Sequence, residues 1–108
     1  MENINYKLSF YVPTTHLEQV KAALFAIGAG IQGNYEQTCW QCLGQGQFRP
    51  NSKAKPAIGE LNALTEVSEY KVEMLCPMTR ITAAIAALKA IHPYEEPAYE
   101  VLQLVRPL

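Results

Sequence analysis

Four chemically versatile side chains stand close together near the end of the sequence, at His92, Tyr94, Glu95 and Glu96. An imidazole, a phenol and two carboxylates can bind a divalent metal ion or transfer protons in catalysis. Prolines flank this group, and they equally predict a rigid elbow between a helix and a strand, whose side chains hydrogen-bond the backbone or contact a neighbouring subunit. We favour the elbow and keep a metal site of His92, Glu95 and Glu96 as the alternative. No other cofactor is predicted.

A second candidate segment combines two glycines with an aromatic ring, a cation and a proline, at Gly44, Gly46, Phe48, Arg49 and Pro50. Paired glycines can cradle a phosphate when a helix N-terminus follows directly, but here a proline follows. The glycines are therefore interpreted as a bulge or a tight extended turn. Arg49, Lys53 and Lys55 form either an anion-binding cluster or a solvated one, and the solvated cluster is favoured.

The cysteines give a weaker signal. Cys39 and Cys42 have the spacing of a redox motif or of half a zinc site, but they fall in a predicted strand, where residues three apart point to opposite faces. With Cys76 the number of cysteines is odd, and the sequence begins without a secretion signal, so we expect reduced thiols and a cytoplasmic protein. No serine-hydrolase set, metalloprotease motif or phosphate-binding P-loop occurs in the sequence, so an enzyme is the less favoured interpretation.

The composition describes one small domain. The 108 residues carry a net charge of −1, 49% of them are hydrophobic and 18% are charged. Without a basic excess, nucleic acid is not an expected partner. No apolar run approaches the roughly 18 residues of a membrane helix, so no membrane span is expected. The low charge favours burial of surface against another subunit.

An internal repeat organises the chain. A shift of 64 residues aligns positions 6–7 with 70–71 and Pro13 with Pro77, and it gives nine identities over positions 6–27. Each copy begins with alternating apolar residues, which is typical of a strand, and continues with the spacing of an amphipathic helix. A further apolar-alternating stretch ends each copy, at 38–42 and at 102–104. The sequence therefore predicts a duplicated strand–helix–strand unit.

This duplication predicts a ferredoxin-like split βαβ fold of the α+β class, with a four-stranded antiparallel sheet and two helices on one face. Within one domain of residues 1–108, we place the first copy at about 5–43, a long irregular connecting segment at 43–64 and the second copy at about 65–105.

Three finer expectations concern single side chains. Thr15 is predicted to cap the first helix together with Glu18, and Trp40 is predicted to face the helices. The sheet face without helices must meet solvent, a ligand or another subunit, and Tyr11 in the first strand indicates an oligomer contact there.

Several motifs resemble those of one protein family. They are G-x-G-x-F-R-P at 44–50, P-x-I-G-E at 56–60, a charged strand at 66–69 and H-P-Y-E-E-P-A-Y at 92–99. In this order they resemble the small accessory domain of the Nif-three-like (YqfO-type) proteins over nearly the whole chain. Asn62 stands where that family tends to carry glycine, and asparagine also tolerates a left-handed backbone.

The resemblance implies a fold like that of the signal-transduction protein PII and the CutA trimer, and a self-associating module for which a trimer is expected. Segment 43–64 then takes the place of PII's long recognition loop. The family's two-metal domain has no counterpart in these residues, so its ligands and its hydrolase-like label are not carried over. The resemblance implies no particular nucleotide, metal or protein ligand.

The sequence is compatible with three functions. The first is a non-enzymatic, oligomeric binding or regulatory module, in which segments 44–50 and 92–96 line a cleft between subunits that takes a small ligand, a metal ion or a protein partner. The second is a divalent-metal-binding protein or metal-dependent enzyme that uses His92, Glu95 and Glu96. The third is a purely structural assembly domain. Whether the two segments lie together in one subunit stays open.

Overall fold

A computed structural model describes residues 5–105. Within them the chain forms four strands and two α-helices, namely β1 Asn5–Pro13, α1 Leu17–Ala26, β2 Trp40–Phe48, β3 Thr65–Pro77, α2 Ile81–Ile91 and β4 Tyr99–Gln103. Each copy of the repeat is thus a strand, a helix and a strand, as the periodicity predicts.

The four strands form one antiparallel sheet in the order β2-β3-β1-β4. The first strands of the two copies, β1 and β3, lie side by side at its centre, with Tyr6 opposite Cys76 and Tyr70 opposite Val12. These two pairs exchange under the shift of 64 residues, so the copies are related by a pseudo-twofold axis between the central strands. The predicted ferredoxin-like α+β fold is confirmed.

The core lies between the sheet and the two helices. Every second side chain of β1 and β3 points towards the helices, because successive residues of a strand alternate between its faces. The buried set is Leu8, Phe10, Val12, Val72, Met74 and Cys76 from the strands, with Leu17, Val20, Leu24, Ala84 and Leu88 from the helices. Phe10 is the largest of the fully buried side chains, and truncating it to alanine would cost about 3–5 kcal/mol.

Each helix begins differently from the prediction. A single turn of 3-10 helix, Thr14–His16 or Met78–Arg80, connects each central strand to its helix. This turn separates Thr15 from the start of α1, and the Thr15 hydroxyl lies 2.8 Å from His16 Nδ1 instead of capping the helix. The predicted capping box of Thr15 and Glu18 is therefore wrong.

The C-terminal ends of the helices follow the prediction. Gly28 has a φ of 103°, a conformation that glycine adopts without strain, and its N–H donates to the Phe25 carbonyl at the end of α1. His92 ends α2 with an extended backbone, and its N–H donates to the Leu88 carbonyl. No helix within residues 5–105 has the length and apolar character needed to cross a membrane.

The edge strand β2 carries its tryptophan on the opposite face from the one expected. Trp40 lies opposite Glu73 and is 57% exposed on the sheet face without helices, so its predicted helix-side position is wrong. Neighbouring residues of a strand occupy opposite faces, and here Gln41 takes the helix side, where it accepts a hydrogen bond from Lys21 Nζ at 2.9 Å.

Strands β2 and β3 continue beyond the rest of the sheet. The pairing of β1 with β3 ends at Pro13 opposite Glu69, whereas β2 and β3 remain paired as far as Phe48 opposite Thr65. Strand structure thus occupies the first part of the segment 43–64, and the irregular chain is limited to 49–64. The result is a short two-stranded arm with a loop at its end.

Candidate ligand-binding site

The two candidate segments meet within one chain. The loop after β2 faces the loop between α2 and β4, and a cavity of about 300 Å³ lies between them. The cavity is lined by Tyr11, Gln47, Phe48, Arg49, Pro50, Ala54, Pro56, Ala57, Ile58, Glu69, Tyr94, Glu95, Glu96 and Ala98. Its volume is at the lower end of the range for small-molecule sites. Segments 44–50 and 92–97 therefore come together without a second copy.

The central polar contact of the site joins Tyr94 to Glu69. The Tyr94 hydroxyl donates to Glu69 Oε2 at 2.7 Å, the short distance expected for a bond to a carboxylate. Burial, with the bond to Glu69 and its negative charge, raises the pKa of Tyr94 far above its ordinary value of 10. The phenol therefore stays protonated at neutral pH and remains a donor to Glu69.

The second glycine of the G-x-G motif gives Glu69 its position. Gly44 lies opposite Glu69 in the sheet, and the Glu69 side chain extends along the strand over Gly46. A Cβ added to Gly46 would overlap Glu69 Oε1 and approach Cδ to 2.7 Å, whereas a Cβ on Gly44 would meet nothing within 4 Å. The motif thus provides space for a carboxylate, which is the opposite of a phosphate cradle.

His92 fastens the loop between α2 and β4 to the central sheet. Its ring is buried, Nδ1 accepts the Tyr94 N–H at 3.1 Å, and Nε2 lies 2.6 Å from the Tyr11 carbonyl. Because Nδ1 is an acceptor here, the proton of the neutral ring is on Nε2 and is donated to Tyr11. Burial lowers the pKa of His92 from its ordinary value of 6.5, and the hydrogen bond to Tyr11 and the charge of Glu69 oppose this only in part.

The loop 49–64 is tied to both sides of the cavity. The Lys55 N–H donates to Glu95 Oε1 at 3.0 Å, and the Asn62 N–H donates to the Pro50 carbonyl at 2.5 Å. Asn62 has a φ of 62°, the left-handed conformation that asparagine tolerates better than most residues. The Phe48 and Tyr94 rings lie with their centroids 6.1 Å apart and inclined by 57°. The cavity is therefore closed by backbone bonds and aromatic packing together.

Six of the predicted site residues line the cavity: Phe48, Arg49, Pro50, Tyr94, Glu95 and Glu96. The other three act from behind its walls, Gly46 by giving space to Glu69 and His92 by holding Tyr94, while Gly44 only continues the strand.

Sequence reasoning missed two residues of the central sheet, Glu69 and Tyr11. Glu69 was noted only within the charged strand, although a carboxylate opposite a glycine pair was available as a signal. Tyr11 was assigned to an oligomer contact, yet its carbonyl and N–H hold both ends of the 92–98 loop, through His92 and through the Ala98 carbonyl at 3.2 Å.

The metal alternative meets an obstacle in this geometry. A metal on His92 would have to displace one of its two hydrogen bonds, because both ring nitrogens are engaged. Among residues 5–105, no three His, Cys, Asp or Glu side chains are grouped closely enough to hold a metal ion. The exposed thiols Cys39 and Cys42 lie at the start of β2, away from the cavity, and burial raises the pKa of Cys76 in the core.

Comparison with known proteins bears on the family resemblance. No family model matches the sequence. Over 101 residues, or 94% of its length, the chain is 42% identical to a protein of Mycobacterium leprae named GTP cyclohydrolase 1 type 2 homolog. A solved structure of a Bacillus cereus protein related to NIF3 superposes on 98% of the chain with a TM-score of 0.82 and 33% identity. The resemblance to the Nif-three-like proteins is confirmed. The chain spans about a quarter of these proteins, 26% of the first and 27% of the second.

The fold extends to smaller proteins beyond the Nif-three-like group. The periplasmic divalent cation tolerance protein CutA from Archaeoglobus fulgidus matches 96% of the chain with a TM-score of 0.68, and the chain covers 87% of it. GlnK from Bacillus subtilis, solved as a complex with ATP, matches 94% with a TM-score of 0.63. Both are 12% identical to this chain, so they establish a shared CutA- and PII-like fold and nothing more.

Proposed function

We propose that the chain is a cytoplasmic, non-enzymatic binding module of the PII/CutA-like type, which self-associates as a trimer and holds a small ligand in the cavity between the loops 47–58 and 94–98. The observation that carries this proposal is that two motifs from distant parts of the sequence line one cavity. Convergence of polar groups on a concave, largely apolar surface is typical of a ligand site.

Preorganisation supports a binding role. Prolines at positions 50 and 56 stiffen one wall, and the bond from the Lys55 N–H to Glu95 joins this wall to the other. A ligand entering such a site has little loop ordering to offset, so more of its contact energy is available as affinity.

Catalysis is not part of the proposal. The imidazole nearest to the cavity, His92, has both ring nitrogens engaged with the backbone of Tyr11 and Tyr94, so it holds structure and is not free to exchange protons. Glu69 is likewise occupied by the Tyr94 hydroxyl.

Self-association is proposed from the sheet face without helices. Trp40 and Leu102 are 57% and 56% exposed there, and Leu75 lies between them on β3, half-buried and opposite Lys7. Large apolar side chains sharing one flat face are typical of a contact with another subunit. The trimer follows the resemblance to CutA and PII.

A binding panel tests the ligand site. The names of the structural neighbours suggest two of its probes, ATP and a divalent cation, to which we add phenethylamine and phenylacetate as organic ions of opposite charge. Backbone amide resonances and thermal melting are followed in the wild type and in Ala57→Phe, which fills the cavity from an exposed wall position. Ala83→Phe, exposed on α2, is the matched control.

We expect at least one probe to shift resonances around the cavity in the wild type and the control, and not in Ala57→Phe. If no probe binds, or if binding survives in Ala57→Phe, the proposed site is wrong and the assembly interpretation gains.

Native mass measurement and light scattering at micromolar concentration test the assembly. We expect a trimer that is unaffected by chelator, and we expect Trp40→Glu to dissociate it while Leu64→Glu, equally exposed but in the loop 49–64, does not. A wild-type monomer contradicts self-association. An assembly that loses both its metal and its subunits on chelation would instead support the metal alternative.

A further inference from the structure

The polar groups around the cavity are mostly hydrogen-bond acceptors. Three carboxylates line it, on Glu69, Glu95 and Glu96, together with the phenol oxygen of Tyr94, whose proton is already donated to Glu69. Arg49 is the one cationic side chain of the lining. A ligand that satisfies this set must itself supply donors, since carboxylates accept only.

The charge balance of the lining points in the same direction. Lys53 and Lys55 belong to the loop 49–64, but neither lines the cavity, and Lys55 contributes only its backbone N–H to Glu95. Three negative groups against one positive group give the cavity a net negative charge at neutral pH. A phosphate or carboxylate ligand would be repelled there, whereas a cation would be attracted.

The shape of the site separates an organic cation from a metal ion. The three glutamates do not converge into a cluster that could hold a metal among residues 5–105. Between them lie the rings of Phe48 and Tyr94 with the apolar surfaces of Pro50, Pro56 and Ile58. This surface suits a flat apolar body, and aromatic faces add attraction for a positive group placed over them.

We propose that this cavity binds a small organic cation, an ammonium group joined to an aromatic or similarly flat apolar body. The ammonium group is held by Glu69 and Glu95, and the apolar body lies against Phe48 and Tyr94. This inference rests on the proposed function, of which it names the ligand class.

Three probes of nearly equal size test the charge preference. Phenethylamine, 2-phenylethanol and phenylacetate share a phenyl ring and a short chain, and they end in a cation, a neutral hydroxyl and an anion. Isothermal titration calorimetry on the full chain should give about tenfold tighter binding for the amine than for the alcohol, and no saturable binding of phenylacetate. The affinity of the amine should fall as sodium chloride is raised, because salt screens partly exposed charges.

Charge-removing variants locate the effect. Glu69→Gln and Glu95→Gln should each weaken phenethylamine about fivefold and leave 2-phenylethanol unchanged. Glu36→Gln, which removes the same charge from an exposed residue outside the cavity lining, should change neither. Circular dichroism verifies that each variant is folded before it is titrated.

The outcomes separate this inference from the function on which it rests. Equal affinity for the amine and the alcohol, or tighter binding of phenylacetate or ATP that Ala57→Phe abolishes, overturns the cation preference and keeps the binding site. Absence of binding for every probe overturns both.

Discussion

The most direct test of the site is Gly46→Ala, because one added methyl group must disturb the contact between Glu69 and Tyr94. The new Cβ would overlap Glu69 Oε1, so the carboxylate has to move away from the Tyr94 hydroxyl that it now accepts at 2.7 Å. A hydrogen bond to a charged group contributes about 1.5–3 kcal/mol, and partial exposure of Glu69 places this one near 1.5 kcal/mol. Replacing glycine inside a strand gains about 0.5 kcal/mol.

The free energy of unfolding should therefore fall by about 1 kcal/mol in Gly46→Ala, or roughly 4 °C in melting temperature for a domain of this size. Gly44→Ala is the matched control, two residues away on the same face of β2, where an added Cβ meets nothing within 4 Å. It should stabilise the protein by about 0.5 kcal/mol. The two variants should thus differ by about 1.5 kcal/mol although they make the same chemical change.

Urea denaturation followed by circular dichroism measures both values, at one protein concentration because dissociation of an oligomer would contribute to them. A double-mutant cycle adds Glu69→Ala, in whose background Gly46→Ala should no longer destabilise. Equal effects of the two glycine substitutions, or an undiminished effect of Gly46→Ala without Glu69, would refute the assigned role of the glycine.

Two further predictions concern titration. Because the folded protein disfavours the charged form of His92, its unfolded state takes up the proton first as pH falls below the ordinary value of 6.5; the free energy of unfolding should be full above that pH and decrease below it, by at most about 1.4 kcal/mol per pH unit, and His92→Gln should remove this component from denaturation curves recorded between about pH 5 and 8. Tyr94→Phe should remove the phenol that ionises last in an ultraviolet titration, and should destabilise the fold by about 1 kcal/mol; an unchanged titration curve would mean that the Tyr94 hydroxyl is not bonded to Glu69.

Much of the fold could be predicted because the duplication states each element twice. Apolar alternation fixes β1 and β3, and the buried positions Val20, Leu24 and Leu88 follow from helical spacing alone. The error at Trp40 has a simple physical cause: a strand changes faces with every residue, so a strand on a sheet edge that is apolar on neither face carries no pattern from which its side can be deduced. The N-terminal caps were missed because a 3-10 turn competes with the capping box for the same residues.

The candidate site could be predicted only in outline. The motif residues at 48–50 and 94–96 do line the cavity, but the sequence could not show that the arm loop and the elbow face each other in one chain. That depends on how far β2 and β3 extend beyond Pro13, which is a property of strand pairing and not of local sequence. Glu69 was overlooked for a related reason, since its role arises from the empty position at Gly46 on the neighbouring strand.

The pseudo-twofold axis explains why the site occurs in one copy of the repeat and not in the other. The shift of 64 residues makes Tyr11 equivalent to Leu75, and both carbonyls are satisfied by the segment that follows a helix. In the first copy the backbone N–H of Gly30 donates to the Leu75 carbonyl at 2.7 Å, whereas in the second the imidazole of His92 reaches the Tyr11 carbonyl at 2.6 Å.

This exchange of a backbone donor for a side chain changes the space around the end of the sheet. A backbone bond, as made by Gly30, draws the chain directly against the strand, while a histidine ring holds its backbone one side-chain length away. The segment after His92 is thereby held out from the sheet, with Tyr94 anchored to the second ring nitrogen and aimed at Glu69. Divergence at this one structural position after the duplication is sufficient to convert a closed helix end into the wall of a cavity.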